Sequence, residues 1–391
     1  MRRVTFSRNF TLSLSRTCRC YCKYCAFATH RAHLHSPEEV ERRLDDAARR
    51  GCKELLVLTG ERPEVNGEVA ARLRDYGHAD FTSYVAWTCE RALERGLLPH
   101  TNIGVLDRDE LALLRTVTAS QGLMLESVAD HLMETVHAGS PTKHPARRLA
   151  TIEAAGELKI PFTSGILIGI GESEDERVAS LEALAGLQRR YGHLQEVIIQ
   201  NYVPHPRYYD REVAEIAEST TRMRWNESPR VPRRLMLKPI DGARAAGEER
   251  AEQSTEYPEL PPVDSSPISL DEIKRLIAEC RRLMPEVGVQ VPPNLSEWWV
   301  ELAEAGATDF GGLSANGDHI SPEHPFPSPH QLRKRLTPRG FALTERLCVY
   351  PRYIEPGWLE QGVLDVVKLK YWSFIPRRGS GRRQESPPSP A

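Results

Sequence analysis

Asn9-Phe-Thr-Leu-Ser-Leu-Ser-Arg-Thr-Cys-Arg-Cys-Tyr-Cys-Lys-Tyr-Cys25 decides how the chain is read. Residues 9–15 form a short strand candidate that runs straight into Cys18, Cys20, Cys22 and Cys25, four of the eight cysteines within eight residues. A disulfide framework would spread its cysteines to close long loops. Four so close together point to metal binding or redox chemistry in a reducing compartment. Cys18, Cys22 and Cys25 have the spacing C-x3-C-x2-C. Three thiolates on one loop can hold three irons of a 4Fe-4S cluster and leave the fourth iron open to a ligand, which a four-cysteine electron-transfer site does not allow. Tyr24, just before the third cysteine, can pack over the cluster or that ligand. The alternative is a zinc knot of all four cysteines. Zinc prefers tetrahedral geometry and two separated C-x2-C pairs; only one such pair is present, so Cys20 is read as a non-ligand neighbour. Cys52, Cys89, Cys280 and Cys348 read as ordinary cysteines, Cys280 on an apolar helix face.

Working outward, strand-like and helix-like segments alternate. Residues 54–59, 97–103, 122–126, 162–170 and 196–202 read as strands, with weaker candidates at 288–291 and 309–313. Between them Ser36, Ser173 and Ser269 each precede a glutamate by three residues, the capping-box signature of a helix start. Helices are expected from these caps and over residues 81–95, 107–116, 144–158 and 297–305. Strands alternating with helices imply parallel pairing, and six to eight units imply an α/β fold of the (β/α) TIM-barrel type. Chemistry in such a barrel sits at the C-terminal strand ends, so the segments just after each strand matter most.

The 391 residues then divide into a barrel over 1–206 and 268–350, a charged, proline-rich insertion after strand six (207–267), a C-terminal extension (351–376) and a tail (377–391) expected to be disordered. With 52 basic and 54 acidic residues the formal charge is −2, which argues against a nucleic-acid-binding surface. No apolar run approaches the roughly 20 residues of a membrane span. The start, Met1-Arg-Arg-Val4, has no apolar leader core, so the expectation is a cytoplasmic protein without membrane or nucleic-acid partners.

The cysteine spacing, the aromatic residue before Cys25 and the position after the first strand resemble the radical S-adenosylmethionine (SAM) superfamily. Longer runs resemble one family within it, the CofG type of 7,8-didemethyl-8-hydroxy-5-deazariboflavin (FO) synthase. They include Thr59-Gly-Glu-Arg-Pro-Glu64, Leu98-Pro-His-Thr-Asn102, His137-Ala-Gly-Ser-Pro-Thr-Lys143, Pro161-Phe-Thr-Ser-Gly-Ile-Leu-Ile-Gly-Ile-Gly-Glu172, Gln195-Glu-Val-Ile-Ile-Gln-Asn201 and Val291-Pro-Pro-Asn-Leu295. Together the matching stretches cover about residues 4–206 and 268–350. Two departures are Cys20 inside the motif loop and the length of the 207–267 insertion, which could cover the substrate or dock a partner but reads first as disordered decoration.

The resemblance implies a 4Fe-4S cluster on Cys18, Cys22 and Cys25, with SAM on the open iron. Thr59, Gly60 and Glu61 stand where the superfamily has a Gly-Gly-Glu-like motif contacting the methionine group of SAM. Glu126 and Ser127 are candidates for its ribose, Arg148 for its carboxylate and Gly169 for its adenine, with Tyr24 beside the cluster. Each also has an ordinary reading, such as a strand-to-helix turn or an exposed helical arginine. Asn102, His137, Asn201 and Asn294 lie near strand ends and are candidates for the substrate's uracil and ribityl groups. The implied reaction takes the adduct that a CofH-like synthase makes from tyrosine and 5-amino-6-(D-ribitylamino)uracil. An electron donor reduces the cluster, SAM yields a 5′-deoxyadenosyl radical, and the adduct closes to the tricyclic deazaflavin FO with loss of ammonia. No side chain is assigned as acid or base. A CofH-type or menaquinone-pathway radical SAM enzyme, and a non-catalytic zinc or iron–sulfur scaffold, are the alternatives.

Overall fold

The computed structural model describes residues 1–203, 268–320 and 324–375. The expected insertion and tail lie outside the described residues. Eight parallel strands form a closed ring: β1 (Arg2–Leu12), β2 (Glu54–Leu58), β3 (Leu98–Asn102), β4 (Ser120–Gly122), β5 (Phe162–Ile168), β6 (Leu194–Asn201), β7 (Gly288–Gln290) and β8 (Asp309–Ser314). Neighbours in sequence pair in order from β1 to β8, and β8 returns to β1. The expected α/β barrel is therefore present, with helices between the strands.

Local chemistry explains the helices. Ser36, Ser173 and Ser269 each accept from the backbone N–H three residues on, while the glutamate there returns the bond, as their spacing suggests. Val40, Leu44 and Ala47 of helix Pro37–Arg49 turn inward against the sheet. β5 is buried at every position, as a parallel strand covered on both faces should be. A short helix, Gly67–Asp75, capped by Asn66, was not anticipated.

Two differences concern β1. It begins at Arg2 and ends at Leu12, earlier than the expected 9–15. Beyond Leu12 the chain leaves the ladder; the Ser13 hydroxyl bonds His319, and that of Ser15 serves the next loop, described below. Its early start has a partner: a ninth strand, β9 (Phe341–Arg346), pairs in parallel with Arg2–Ser7. β8 pairs with Thr5–Asn9 on one edge of β1, and β2 with Asn9–Leu12 on the other. β9 thus takes the part of the β2 edge that β2 does not reach. The chain after β9 crosses beneath the ring. Ser120 Oγ and Gln195 Nε2 both donate to Cys348 O at 2.9 Å, and Leu347, Val349 and Tyr353 pack there with Leu98 and Ala119. The N-terminal end of the barrel is closed, and the lumen opens toward the C-terminal strand ends.

Candidate active site

The loop after β1 is held by its own hydroxyls. Ser15 Oγ donates to His33 O at 2.6 Å, and Thr17 Oγ1 donates to Arg31 O at 2.6 Å and accepts from His33 N at 2.7 Å. Gly60 N donates to Ser15 O at 2.8 Å, and Arg19 N to Glu61 O at 2.9 Å, so the cysteine loop is fastened to the end of β2. Gly60 is required by this approach: a Cβ there would stand 2.1 Å from Thr17 O and 2.9 Å from Cys18 Cβ.

Cys18, Cys22 and Cys25 come together on one wall of a cavity of about 1120 Å³. Glu61 N donates to Cys18 Sγ at 3.2 Å. Cys20 lines the same cavity but is buried, and its sulfur lies 3.1 Å from Thr142 Oγ1. All eight cysteines are free thiols. A hydrogen bond with Cys18, together with burial, pushes the Cys20 thiol up to about 12. The bond with Cys20, and then burial, raises Cys22, and burial raises Cys25. Among the described residues no three His, Cys, Asp or Glu side chains converge on a single-ion site. A four-cysteine zinc knot needs that convergence.

Beside the cysteines is a buried quartet of alternating charge. Glu61 and Arg148 are 6% and 4% exposed at the side chain. Lys143 Nζ donates to Glu126 Oε1 at 2.5 Å. Burial and Arg148 oppose the Lys143 charge, but Glu126 and Cys22 outweigh them and its pKa lies above the ordinary lysine value. Arg148 Nε donates to Met124 O at 2.5 Å, while Nη1 is 3.8 Å from Glu61 and Nη2 is 3.7 Å from Glu126. Those separations are too long for hydrogen bonds. Arg148 Nη1 and Glu61 Oε1 are accordingly buried without partners, and such groups are costly unless a ligand meets them. A guanidinium and a carboxylate left open beside three thiols fit the carboxylate and ammonium of an amino acid. The residues present therefore fit a 4Fe-4S cluster with SAM: Cys18, Cys22 and Cys25 would hold the irons, and Glu61 and Arg148 the methionine end.

Two backbone features aim these groups. Gly104 has φ of 96°, and a Cβ on it would lie 2.3 Å from Glu61 Cγ. Glu126 has φ of 68°, a left-handed conformation that costs a non-glycine residue about 1–3 kcal/mol. It is held by Glu126 N donating to Gly165 O at 3.2 Å and Leu167 N donating to Glu126 O at 2.9 Å.

Of the residues singled out from sequence, Tyr24, Thr59, Gly60, Glu61, Asn102, Glu126, Arg148 and Asn201 line the cavity with the cysteines. His137 stands behind Tyr24, with Tyr24 Oη and His137 Nε2 hydrogen-bonded at 2.9 Å. Burial, with Lys143 and Arg148 nearby, lowers the His137 pKa to about 2, so the ring is neutral. Ser127 and Gly169 do not line the cavity: Ser127 Oγ accepts from Ala129 N at 3.1 Å, and Gly169 N donates to Glu172 Oε1 at 2.7 Å. Asn294 lies on the wall of the barrel lumen, where its Nδ2 donates to Asp318 Oδ2 at 2.7 Å and His324 O at 3.0 Å. Sequence reading missed Lys143 as a site residue. It ends a one-turn 3-10 segment, Pro141–Lys143, so no strand or helix pattern marked it.

A family model described as the radical SAM superfamily matches residues 12–184. The chain is 37% identical over 377 residues to a 7,8-didemethyl-8-hydroxy-5-deazariboflavin synthase of Methanothermobacter thermautotrophicus, covering 95% of this chain and 99% of that protein. It is 40% identical over 359 residues to a protein of the same name from Methanoculleus marisnigri, covering 90% and 91%. Among solved structures, the FeFe-hydrogenase maturase HydG from Carboxydothermus hydrogenoformans has a TM-score of 0.57 at 20% identity, covering 88% of this chain and 68% of that one. This last likeness is one of fold. Identity at this level over nearly the whole length, with the cysteine loop, Glu61 and Arg148 assembled on one cavity, places the chain in the 7,8-didemethyl-8-hydroxy-5-deazariboflavin (FO) synthase family of the radical SAM superfamily.

Proposed function

We propose that this chain catalyses the ring-closing step of FO formation, the CofG role: it takes 5-amino-5-(4-hydroxybenzyl)-6-(D-ribitylimino)-5,6-dihydrouracil and releases FO and ammonia, acting as a carbon–nitrogen lyase. The observation that supports radical SAM chemistry at this site is the pair of unpartnered buried groups, Glu61 Oε1 and Arg148 Nη1, on one cavity with Cys18, Cys22 and Cys25. The runs Thr59–Glu64 and 161–172 support the CofG role over the CofH role. When bound, the reduced cluster and SAM supply a 5′-deoxyadenosyl radical for hydrogen abstraction.

The chain's own residues do the rest. Glu61 and Arg148 orient the cofactor's charged end; Gly60 lets the cysteine loop close on the end of β2, and Gly104 leaves room for the Glu61 side chain. Tyr24, pushed well above its ordinary pKa by burial and by Glu126, stays a neutral phenol against neutral His137. The closed floor bars water from entering the lumen at its N-terminal end, a part of the water exclusion that radical chemistry needs. Substrate reaches the site from a CofH-like synthase, and electrons from an external donor. No helix among the described residues is long and apolar enough to cross a membrane.

Two substrate sets separate the readings. Reconstituted protein with SAM and reductant should consume the preformed adduct and leave tyrosine plus the ribitylaminouracil unchanged. Adduct formation from the latter pair, without ring closure of the former, would assign the CofH role instead. The Cys22→Ala variant should produce no 5′-deoxyadenosine.

A further inference from the structure

The lumen below the cofactor cavity is not packed as barrel interiors are. Layers of Val, Ile and Leu fill most such barrels. Here inward positions carry Asn9, Glu54, His100, Thr163, Glu196 and Gln290, around about 1190 Å³ of open space. Glycines replace side chains where the polar groups cross. A Cβ on Gly312 would lie 2.4 Å from Asn9 Nδ2, and one on Gly122 would lie 3.0 Å from His100 Nε2. The wall is continuous with the cofactor cavity through Leu58, Asn102, Met124 and Gln200, which line both.

Two acceptors in this chamber have no partner. Asn9 Oδ1 and Glu54 Oε2 are buried without a hydrogen bond, in residues only 2% and 6% exposed. The charges around them are already matched. Arg346 donates to Asp309 at 2.6 and 2.8 Å and to Glu196 at 2.8 Å. Turned with its nitrogen toward Glu196, the Gln290 amide also donates to it, at 3.0 and 3.2 Å. Burial lowers His100 to about 4, leaving it neutral, and burial raises the Glu54 carboxyl. An anionic ligand would find no free counter-charge, whereas a ligand with hydroxyls would satisfy both orphaned acceptors.

We infer that this lower chamber binds a neutral polyhydroxylated chain, with hydroxyls donating to Asn9 Oδ1 and Glu54 Oε2. The inference rests on the proposed reading, in which the substrate carries a ribityl chain. With that chain in the depth of the lumen, the ring system lies at the level of Asn102, Met124 and Gln200, facing the cofactor. Asn9 and Glu54 are then determinants of substrate specificity.

Calorimetric titration of the reconstituted, unreduced protein tests this without turnover. The probes are the tyrosine–uracil adduct and an analogue with an n-pentyl chain in place of ribityl. The native protein should bind the ribityl compound about tenfold or more tightly than the pentyl compound, the order expected for buried hydrogen bonds lost. Asn9→Ala and Glu54→Ala should bring the two affinities within about threefold of each other, with iron content retained. Equal binding of the two probes by the native protein overturns the inference, whether or not the variants fold. Selective binding without FO production would leave the chamber assigned and remove the reaction; FO production with equal binding would do the reverse.

Discussion

Arg148 is a buried guanidinium that a ligand would complete. One nitrogen is satisfied by Met124 O, two stand near carboxylates without bonding them, and one of those has no partner at all. Arg148→Ala should raise the SAM dissociation constant by about tenfold or more, measured by equilibrium binding to reconstituted protein with unchanged iron content. It should also destabilise the fold by about 3–5 kcal/mol, because Glu61 and Glu126 lose a buried counter-charge. An unchanged dissociation constant would remove Arg148 from the cofactor site. At this scale the sequence was informative where a short motif carried the chemistry. Cys18, Cys22, Cys25, Tyr24 and Thr59–Glu61 were legible from spacing and position, with the family resemblance supplying roles. Ser127 and Gly169 lie off the cavity lining for a backbone reason. Glu126 adopts a left-handed φ, and the next residue serves the backbone rather than the cavity; the Gly169 N–H is taken by Glu172. Side-chain direction after a strand end depends on such turns, which composition does not encode.

The cysteine loop and the end of β2 act as one element. Their contact admits no side chain at position 60, because the nearest atom is backbone oxygen rather than a flexible tip. Gly60→Ala should therefore lower reconstituted iron to less than about half of the native content, since accommodating 2.1 Å requires the loop to shift. Cys20→Ser should keep the native iron content, because its sulfur is engaged with Thr142 rather than exposed to the cavity centre alone. Iron and sulfide analysis reads both, and loss of iron in Cys20→Ser would make Cys20 a ligand. The alternation of strands and helices was readable because buried parallel strands and capping boxes are strong local signals. β9 was not, nor was the early start of β1. Arg2 and Arg3 pair with Phe341 and Ala342 across more than three hundred residues, and a strand whose polar half is stabilised only by so distant a partner leaves little local pattern.

For the whole molecule, stability depends on buried neutral histidines as well as apolar packing. His193 is fully buried, its Nε2 is bonded to Ile152 O at 2.9 Å, and burial lowers its pKa from 6.5 to about 4. His100 is lowered to about 4 in the same way. Between pH 6.5 and 4 the unfolded chain binds protons that the folded chain refuses, so stability is full above about pH 6.5 and falls as the pH drops. Each such histidine costs about 1.4 kcal/mol per pH unit in that window. Thermal melts from pH 7.5 to 5.5 should show a falling midpoint, and His193→Phe should flatten that fall while lowering stability at pH 7.5 through the unpaired Ile152 carbonyl. A midpoint independent of pH would contradict the buried neutral state. Whether this barrel closes the deazaflavin ring is decided by quantifying products from the preformed adduct with reconstituted protein, SAM and a reductant. FO, ammonium and 5′-deoxyadenosine should appear together in comparable amounts; 5′-deoxyadenosine accumulating with neither FO nor ammonium would rule out ring closure by this protein.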